Sequence, residues 1–502
     1  MSVTRLSAAS LASSSWFLAL MGMLFWLGTV GGMPKTLGQT SSDSLLIRAA
    51  FDEALAHGEA HENLRSLCKD IGHRLSGSPQ ATEAMAWGAE VLRTYGADEV
   101  RIMPVVVPSW TRGNVAEASA SFVSDLESRG NGSLPKTRKK SISEPTSTSA
   151  PIPLHITALG GSIPTPDDGV LEGPLLVVKN LDALDTLDAT GHIVLFNRAM
   201  DPVLINTGAA YGGAFDQRGR GAVAAAKAGA IGVLVRSLTH SLDTLPHTGS
   251  MNYEDGVPRI PAAAISTVDA RMLAAHADAG EQIRVRMQLN CRDLGEVEQG
   301  NVIGVWKGAE HPDEIITLGG HLDSWDIGEG AHDDGAGIVH TLETLRILKA
   351  IGYQPKHTLH FVLFINEENG NRGGITYAQQ ARDESTEIHI AAMESDAGGF
   401  VPRGVRMDGT DDQVALVRSW ESLFEPYNLH YFGRGGSGVD IGPLKELEPR
   451  PLLVGLVPDG QRYFDFHHSS QDVWENVHKR ELELGAATCA AMVIMLDKNL
   501  GQ

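Results

Sequence analysis

From Asn301 to Leu500 the chain alternates apolar runs of strand length with longer runs of helical period. The apolar runs lie in EIITLGGHLD, HTLHFVLFINEE, EIHIAAMESDAGG and PLLVGLVP. Between and after them come GIVHTLETLRILKAIG and ELELGAATCAAMVIMLDKNL, which repeat apolar residues at three- and four-residue steps. A strand followed by a helix and another strand returns in the same direction, so this alternation predicts an α/β fold with a mostly parallel sheet flanked by helices. Such sheets collect ligands at the carboxyl ends of their strands.

Those ends are chemically unusual here. The first run ends in His321 and leads into GGHLDSWDIGEGAHDDGAG, with Asp323 and Asp333. The second ends in the pair Glu367-Glu368, the third in Asp396, and FDFHHSSQD follows the fourth with His467 and His468. Imidazoles combined with carboxylates suit zinc. A shared carboxylate would let two metals sit a few ångströms apart and activate a water, while a second carboxylate takes its proton. The adjacent glutamates could divide those two tasks, and the glycines around Asp333 permit a tight turn.

The rest of the chain frames this half. Residues from about Leu45 to Tyr95 are helical, and VRIMPVVVP is a strand. Residues 121–153 are rich in Ser, Pro, Lys and Gly and read as a flexible surface insertion, its KTRKK run as solvated charge. Residues 154–290 hold short strands (PLLVV, HIVLFN, AIGVLVR, AAAIS) and the helix GRGAVAAAKAGA, the pattern of a separate small domain. A net charge of −21 repels phosphate backbones, so nucleic acid is excluded as a natural partner. Three well-separated cysteines build neither a zinc ribbon nor a disulfide framework. Arg5 ahead of WFLALMGMLFWLGTV, Trp16–Val30, reads as a secretory signal within residues 1–38, with an uncleaved membrane anchor as the alternative. Either places the body of the protein outside the cytoplasm, secreted or periplasmic.

As a set, GHLDSWDIGEGAHDDGAG, INEENG, MESDAGGF and FHHSSQD resemble the M28 family of co-catalytic zinc peptidases, with weaker similarity in IGHRLSGSP, GRGAVAAAKAGA and LPHTGSMNYEDGVPRIPAAAIS. The resemblance implies the zinc exopeptidase fold, a mixed, mostly parallel sheet in residues 45–120 and 291–502, with an inserted β-rich, protease-associated-like domain over 154–290. It implies two zinc ions. His321 and Glu368 would bind one, Asp396 and His468 the other, and Asp333 would bridge them. Glu367 would be the general base and Asp323 would orient His321 through its second ring nitrogen. A cis peptide is expected at Asp333-Asp334. Dipeptides or short unblocked peptides are the implied substrates and a homodimer the implied assembly. Two positions depart from the family pattern: Asn366, where a small residue is usual, and Val473, where Thr is common.

Two other readings stay open: an aminopeptidase with the same ligands, and a metal-binding ectodomain without activity. The retained Glu367 and the complete ligand set argue against the second. His467 reads as a neighbour of the site rather than a ligand. Ser437 and Asp440 in GRGGSGVD are candidates for lining the pocket. Asp326, Glu329 and His332 carry no assigned role.

Overall fold

The computed structural model describes residues 36–123, 149–384 and 386–501. The proposed signal or anchor, apart from residues 36–38, and most of the 121–153 insertion lie outside them. Among the described residues no helix is long and apolar enough to cross a membrane.

Two eight-stranded sheets organise the chain. The first runs, edge to edge, Glu99–Thr111, Arg292–Trp306, His357–Phe364, His311–His321, Ile388–Glu394, Leu452–Pro458, Pro402–Asp408 and Tyr431–Arg434. Its four central strands, from His357–Phe364 to Leu452–Pro458, are mutually parallel. Antiparallel pairs flank them on both sides. Central strands are covered on both faces, and His357–Phe364 is buried at all eight residues.

Helices cover this sheet. Pro79–Thr94 starts where Ser78 caps the Ala81 N–H and Pro79 takes the first turn, which needs no N–H there. Lys479–Asn499 is buried from Leu482 to Asp497 apart from Leu484, so the helix expected to have one apolar face is enclosed almost all round. It packs between Thr36–His57 and Ala336–Ala350. The helix Arg372–Asp383 and the strands Pro402–Asp408 and Tyr431–Arg434 add to the expected elements.

The second sheet runs Ile152–Leu154, Ala116–Val123, Gln282–Leu289, Leu171–Val178, Ile193–Phe196, Gly232–Arg236, Ala262–Ile265 and Ile156–Ala158. The four strands expected from PLLVV, HIVLFN, AIGVLVR and AAAIS are all present, and their pairing is parallel. Ala116–Val123 pairs with Gln282–Leu289, so this stretch belongs to the second sheet although the sequence grouped it with the first. Residues 121–123 and 152–153 are ladder residues, which narrows the insertion at both ends. All three cysteines are buried free thiols.

Candidate active site

The carboxyl ends of the four central parallel strands converge on one cluster. His321 closes its strand, Glu367 and Glu368 follow Phe364 by three and four residues, and Asp396 lies two beyond Glu394. The short helix Tyr463–Phe466 delivers His467 and His468 after the fourth strand.

His321 Nε2 lies 3.3 Å from Asp333 Oδ1 and 3.6 Å from an Asp396 oxygen. His468 Nε2 lies 3.1 Å from Asp333 Oδ2 and 3.0 Å from a Glu368 oxygen. Asp333 therefore turns one oxygen to each imidazole. His321, Asp333 and Asp396 form one group able to hold a metal ion, and Asp333 with His467 and His468 forms another. The resemblance implied the opposite distribution of two carboxylates: Asp396 sits with His321, and Glu368 sits with His468. Both neighbouring strands, His357–Phe364 and Ile388–Glu394, flank His311–His321, so the loops beyond the strand ends rather than adjacency set this distribution.

His467 was read as a bystander, yet its Nε2 is 3.6 Å from Asp333 Oδ2. Its ring stacks on His468 with centroids 3.5 Å apart and planes 16° from parallel. A metal binds an imidazole along the in-plane lone pair, and one ion cannot lie in both of two parallel planes. Glu368 is thus the better third donor beside His468.

Three buried atoms in the cluster have no hydrogen-bond partner: His321 Nε2, Asp333 Oδ2 and Glu368 Oε1. Buried polar atoms are normally paired, and orphans gathered in one cluster are what bound metal would satisfy. The electrostatics agree. Burial opposes charge on His321, but Asp333 and Asp396 still push it well above the usual imidazole range. Burial likewise opposes charge on His468, and Glu368 and Asp333 raise it to about 9. In the metal-free cluster protons supply the positive charge that the carboxylates demand. Burial, with Asp396, Glu368 and Asp333 nearby, holds the Glu367 carboxyl well above its ordinary value.

The supporting groups were only partly legible. His321 Nδ1 donates to the Asp323 backbone carbonyl at 2.9 Å, which leaves Nε2 for the cluster. The Asp323 carboxylate is 4.0 Å from that nitrogen and has another task. It accepts the backbone N–H groups of Asn366 at 2.7 Å, Glu367 at 3.1 Å and Glu368 at 3.3 Å. The expected link from Asp323 to His321 therefore runs through the main chain, and the side chain instead fixes the turn carrying both glutamates. Asn366 has φ +72°, a left-handed conformation that Asn tolerates better than most residues, which accounts for its presence there.

Asp472 accepts the N–H groups of His332 at 2.6 Å and Asp333 at 3.1 Å. Asp334 accepts those of His321 and Gly337, and the Asp333-Asp334 peptide is cis. Arg74, from IGHRLSGSP, is fully buried and donates to the carbonyls of Leu322, Glu329 and Gly330.

The leftover residues acquire structural roles. Asp326 pairs with Arg112, and Glu329 with Lys69. His332 accepts from Gly399 N–H at 3.1 Å and stacks on Phe400, joining the Asp333 and Asp396 loops. A cleft over the cluster is lined by Trp325, Asp333, Glu368, His468 and Ser469. Ser437 and Asp440 do not line it. Asp440 is fully buried near Glu394 and Glu367, with neither oxygen hydrogen-bonded.

A mixed sheet that gathers imidazoles and carboxylates at the ends of its central strands defines a metallo-exopeptidase, and the comparisons agree. The chain belongs to peptidase family M28, whose model matches residues 301–493. It is 32% identical to carboxypeptidase Q of Bos taurus over 439 residues, 87% of this chain and 85% of the bovine one. It is 33% identical to carboxypeptidase Q of Xenopus laevis over 88% of each chain. The crystal structure of a peptidase M28 precursor from Shewanella amazonensis SB2B is 31% identical and superposes with a TM-score of 0.80 over 92% of this chain and 98% of that one. An aminopeptidase from Aneurinibacillus sp. strain AM-1, 20% identical, shares the fold with a TM-score of 0.60, covering 91% of this chain and 96% of its own.

Proposed function

We propose that this chain is a zinc-dependent exopeptidase of the carboxypeptidase Q type, hydrolysing dipeptides or short unblocked peptides. The observation that carries this reading is the convergence of His321, His468 and the two-faced Asp333, with their orphaned atoms, beside Glu367. His321, Asp333 and Asp396 would hold one zinc ion, and His468, Asp333 and Glu368 the second. When bound, the pair supplies Lewis-acid polarisation of the scissile carbonyl and lowers the pKa of a water at the site.

The chain's own residues do the rest. Glu367, 4.0 Å from His321 Nε2 and with its side chain partly exposed, takes the proton of the attacking water and returns it to the leaving amine. Its high proton affinity when buried suits a group that must hold that proton between the two steps. Asp323 keeps the Glu367-Glu368 turn aimed, so that one glutamate binds while the other stays free. Trp325 lines the cleft beside Asp333, Glu368 and His468, and the narrow opening suits short chains.

The same reading takes residues 154–290 as a protease-associated-like domain, the N-terminal segment as a leader to an extracytoplasmic location, and the assembly as a homodimer.

The test is hydrolysis of a dipeptide panel by the purified protein as isolated, after chelation, after zinc is restored, and with Glu367→Gln. Activity should fall with chelator, return with zinc, and drop by about 10³-fold or more in Glu367→Gln while zinc stays bound. Amino-blocked and carboxyl-blocked dipeptides identify the terminus that is read. A protein that binds zinc and cleaves no member of the panel would return the metal-binding ectodomain to first place.

A further inference from the structure

His468 does not stand on its own half of the molecule. The segment His247–Gly249, from the body built on the second sheet, runs against it. Thr248 N–H donates to the His468 carbonyl at 2.9 Å, and His247 Nδ1 donates to the His467 carbonyl at 2.8 Å. His468 itself has φ +60°, a conformation an imidazole residue keeps only when its surroundings hold it.

The ring is held from the same side. His468 Nδ1 lies 3.3 Å from the Thr248 carbonyl oxygen. Arg218, at the end of the turn Asp216–Gly219, places Nη1 at 3.2 Å from that oxygen and 3.3 Å from His468 Nδ1. A guanidinium only donates, and a carbonyl oxygen has two lone pairs. His468 Nε2 faces Asp333 and Glu368, so a metal bound there requires the imidazole proton on Nδ1. Arg218 and that Nδ1–H then share the Thr248 oxygen. Arg218 is nearly fully buried, and its other amino group donates to the Tyr211 hydroxyl. Gly249 makes the approach possible. A Cβ at that position would come within 2.4 Å of the guanidinium carbon and 2.7 Å of His468 Nδ1.

The anchorage is continuous with the other loop of the centre. Thr248 Oγ1 donates to Ala158 O at 2.9 Å and accepts from Arg112, which also holds Asp326 between His321 and Asp333.

We propose that Arg218 is a positioning residue for the His468 half of the metal centre, acting through the Thr248 carbonyl, so that zinc affinity in that half depends on the body built on the second sheet. This rests on the proposed two-zinc reading. Removing Arg218 frees the Thr248 oxygen to turn, and the imidazole loses its fixed proton and orientation. Outer partners of this kind typically change metal affinity about 10- to 100-fold.

The experiment uses the full chain, loaded with zinc and titrated with a competing chelator, alongside kcat and KM for a cleaved dipeptide. In Arg218→Ala one zinc should be released about 10- to 100-fold more readily and the other at the wild-type chelator concentration. The kcat should fall with KM little changed. Arg218→Lys keeps a donor and should recover part of both effects. Gly249→Ala should reproduce the selective loss from the other side of the contact. Arg220→Ala, at an exposed position two residues away, should match wild type in both readouts.

Several results overturn the proposal: wild-type affinity for both zinc ions in Arg218→Ala, equal weakening of both with a lower melting temperature of the metal-free protein, or a rise confined to KM. The last would place Arg218 on the substrate. The zinc titration does not need turnover, so a wild type that binds zinc and cleaves nothing defeats the exopeptidase reading while Arg218 is still judged by zinc release.

Discussion

Two buried aspartates, Asp333 and Asp497, sit in the same catalytic half and face histidines, yet they are used in opposite ways. Asp497 accepts from the Tyr353 hydroxyl at 2.6 Å, His357 Nδ1 at 3.0 Å and the N–H groups of Lys356 and His357. Both its oxygens are occupied, and the result locks the last helix onto the start of a central strand. Asp333 faces three imidazoles, and its Oδ2 makes no hydrogen bond. A saturated carboxylate stabilises a fold. An unsaturated one, held rigid by donors elsewhere, stores affinity for a charge that arrives later.

That contrast can be broken by substitution. The largest effect is expected for Asp333→Ala: peptide hydrolysis should fall by about 10⁴-fold or more, with loss of bound zinc measured by metal analysis. Its chemical denaturation in the metal-free state should stay close to wild type. Asp497→Ala should do the reverse, costing about 3 kcal/mol in urea denaturation because it strands several buried donors, while zinc content per folded molecule is unchanged. If Asp333→Ala unfolds the metal-free chain, or Asp497→Ala empties the zinc site, the division between the two carboxylates is wrong.

Intermediate effects sharpen it. Asp323→Asn loses charge and one acceptor for the Asn366–Glu368 turn, so kcat should fall about 10- to 100-fold with zinc retained. The smallest effect is in acid. Burial raises the Asp497 pKa, but the His357, Tyr353 and backbone donors outweigh it and hold the group below the ordinary carboxylate value. A depressed folded pKa contributes stability above the unfolded value of about 4, lost as pH falls through the folded one. Metal-free protein should therefore lose stability as pH falls below about 4, and Asp497→Asn should flatten that part of the profile of melting temperature against pH.

Particular residues show what was readable beforehand. The strand–helix alternation placed His321, Glu367, Glu368 and Asp396 at strand ends because the apolar runs are long and sharply bounded. The exchange of Glu368 and Asp396 between the two imidazoles was not readable, since both flank the His321 strand and the loops beyond the strand ends decide which oxygen meets which ring. The enclosure of Lys479–Asn499 was hidden by scattered polar residues such as Glu483 and Asp497, whose buried partners come from distant segments. Arg74 and Arg218 carried no local signal, because their partners are backbone carbonyls remote in the chain.

The sequence by itself determined the α/β architecture and the candidate ligands, because periodicity and residue chemistry are local properties. Only the tertiary structure decided which carboxylate joins which histidine, that the Asp323 side chain serves a turn rather than an imidazole, and that His468 is oriented from the second sheet's body. Those outcomes depend on the loops beyond the strand ends and on hydrogen bonds to main-chain groups, and no spacing along one chain encodes the direction of a carbonyl more than two hundred residues away.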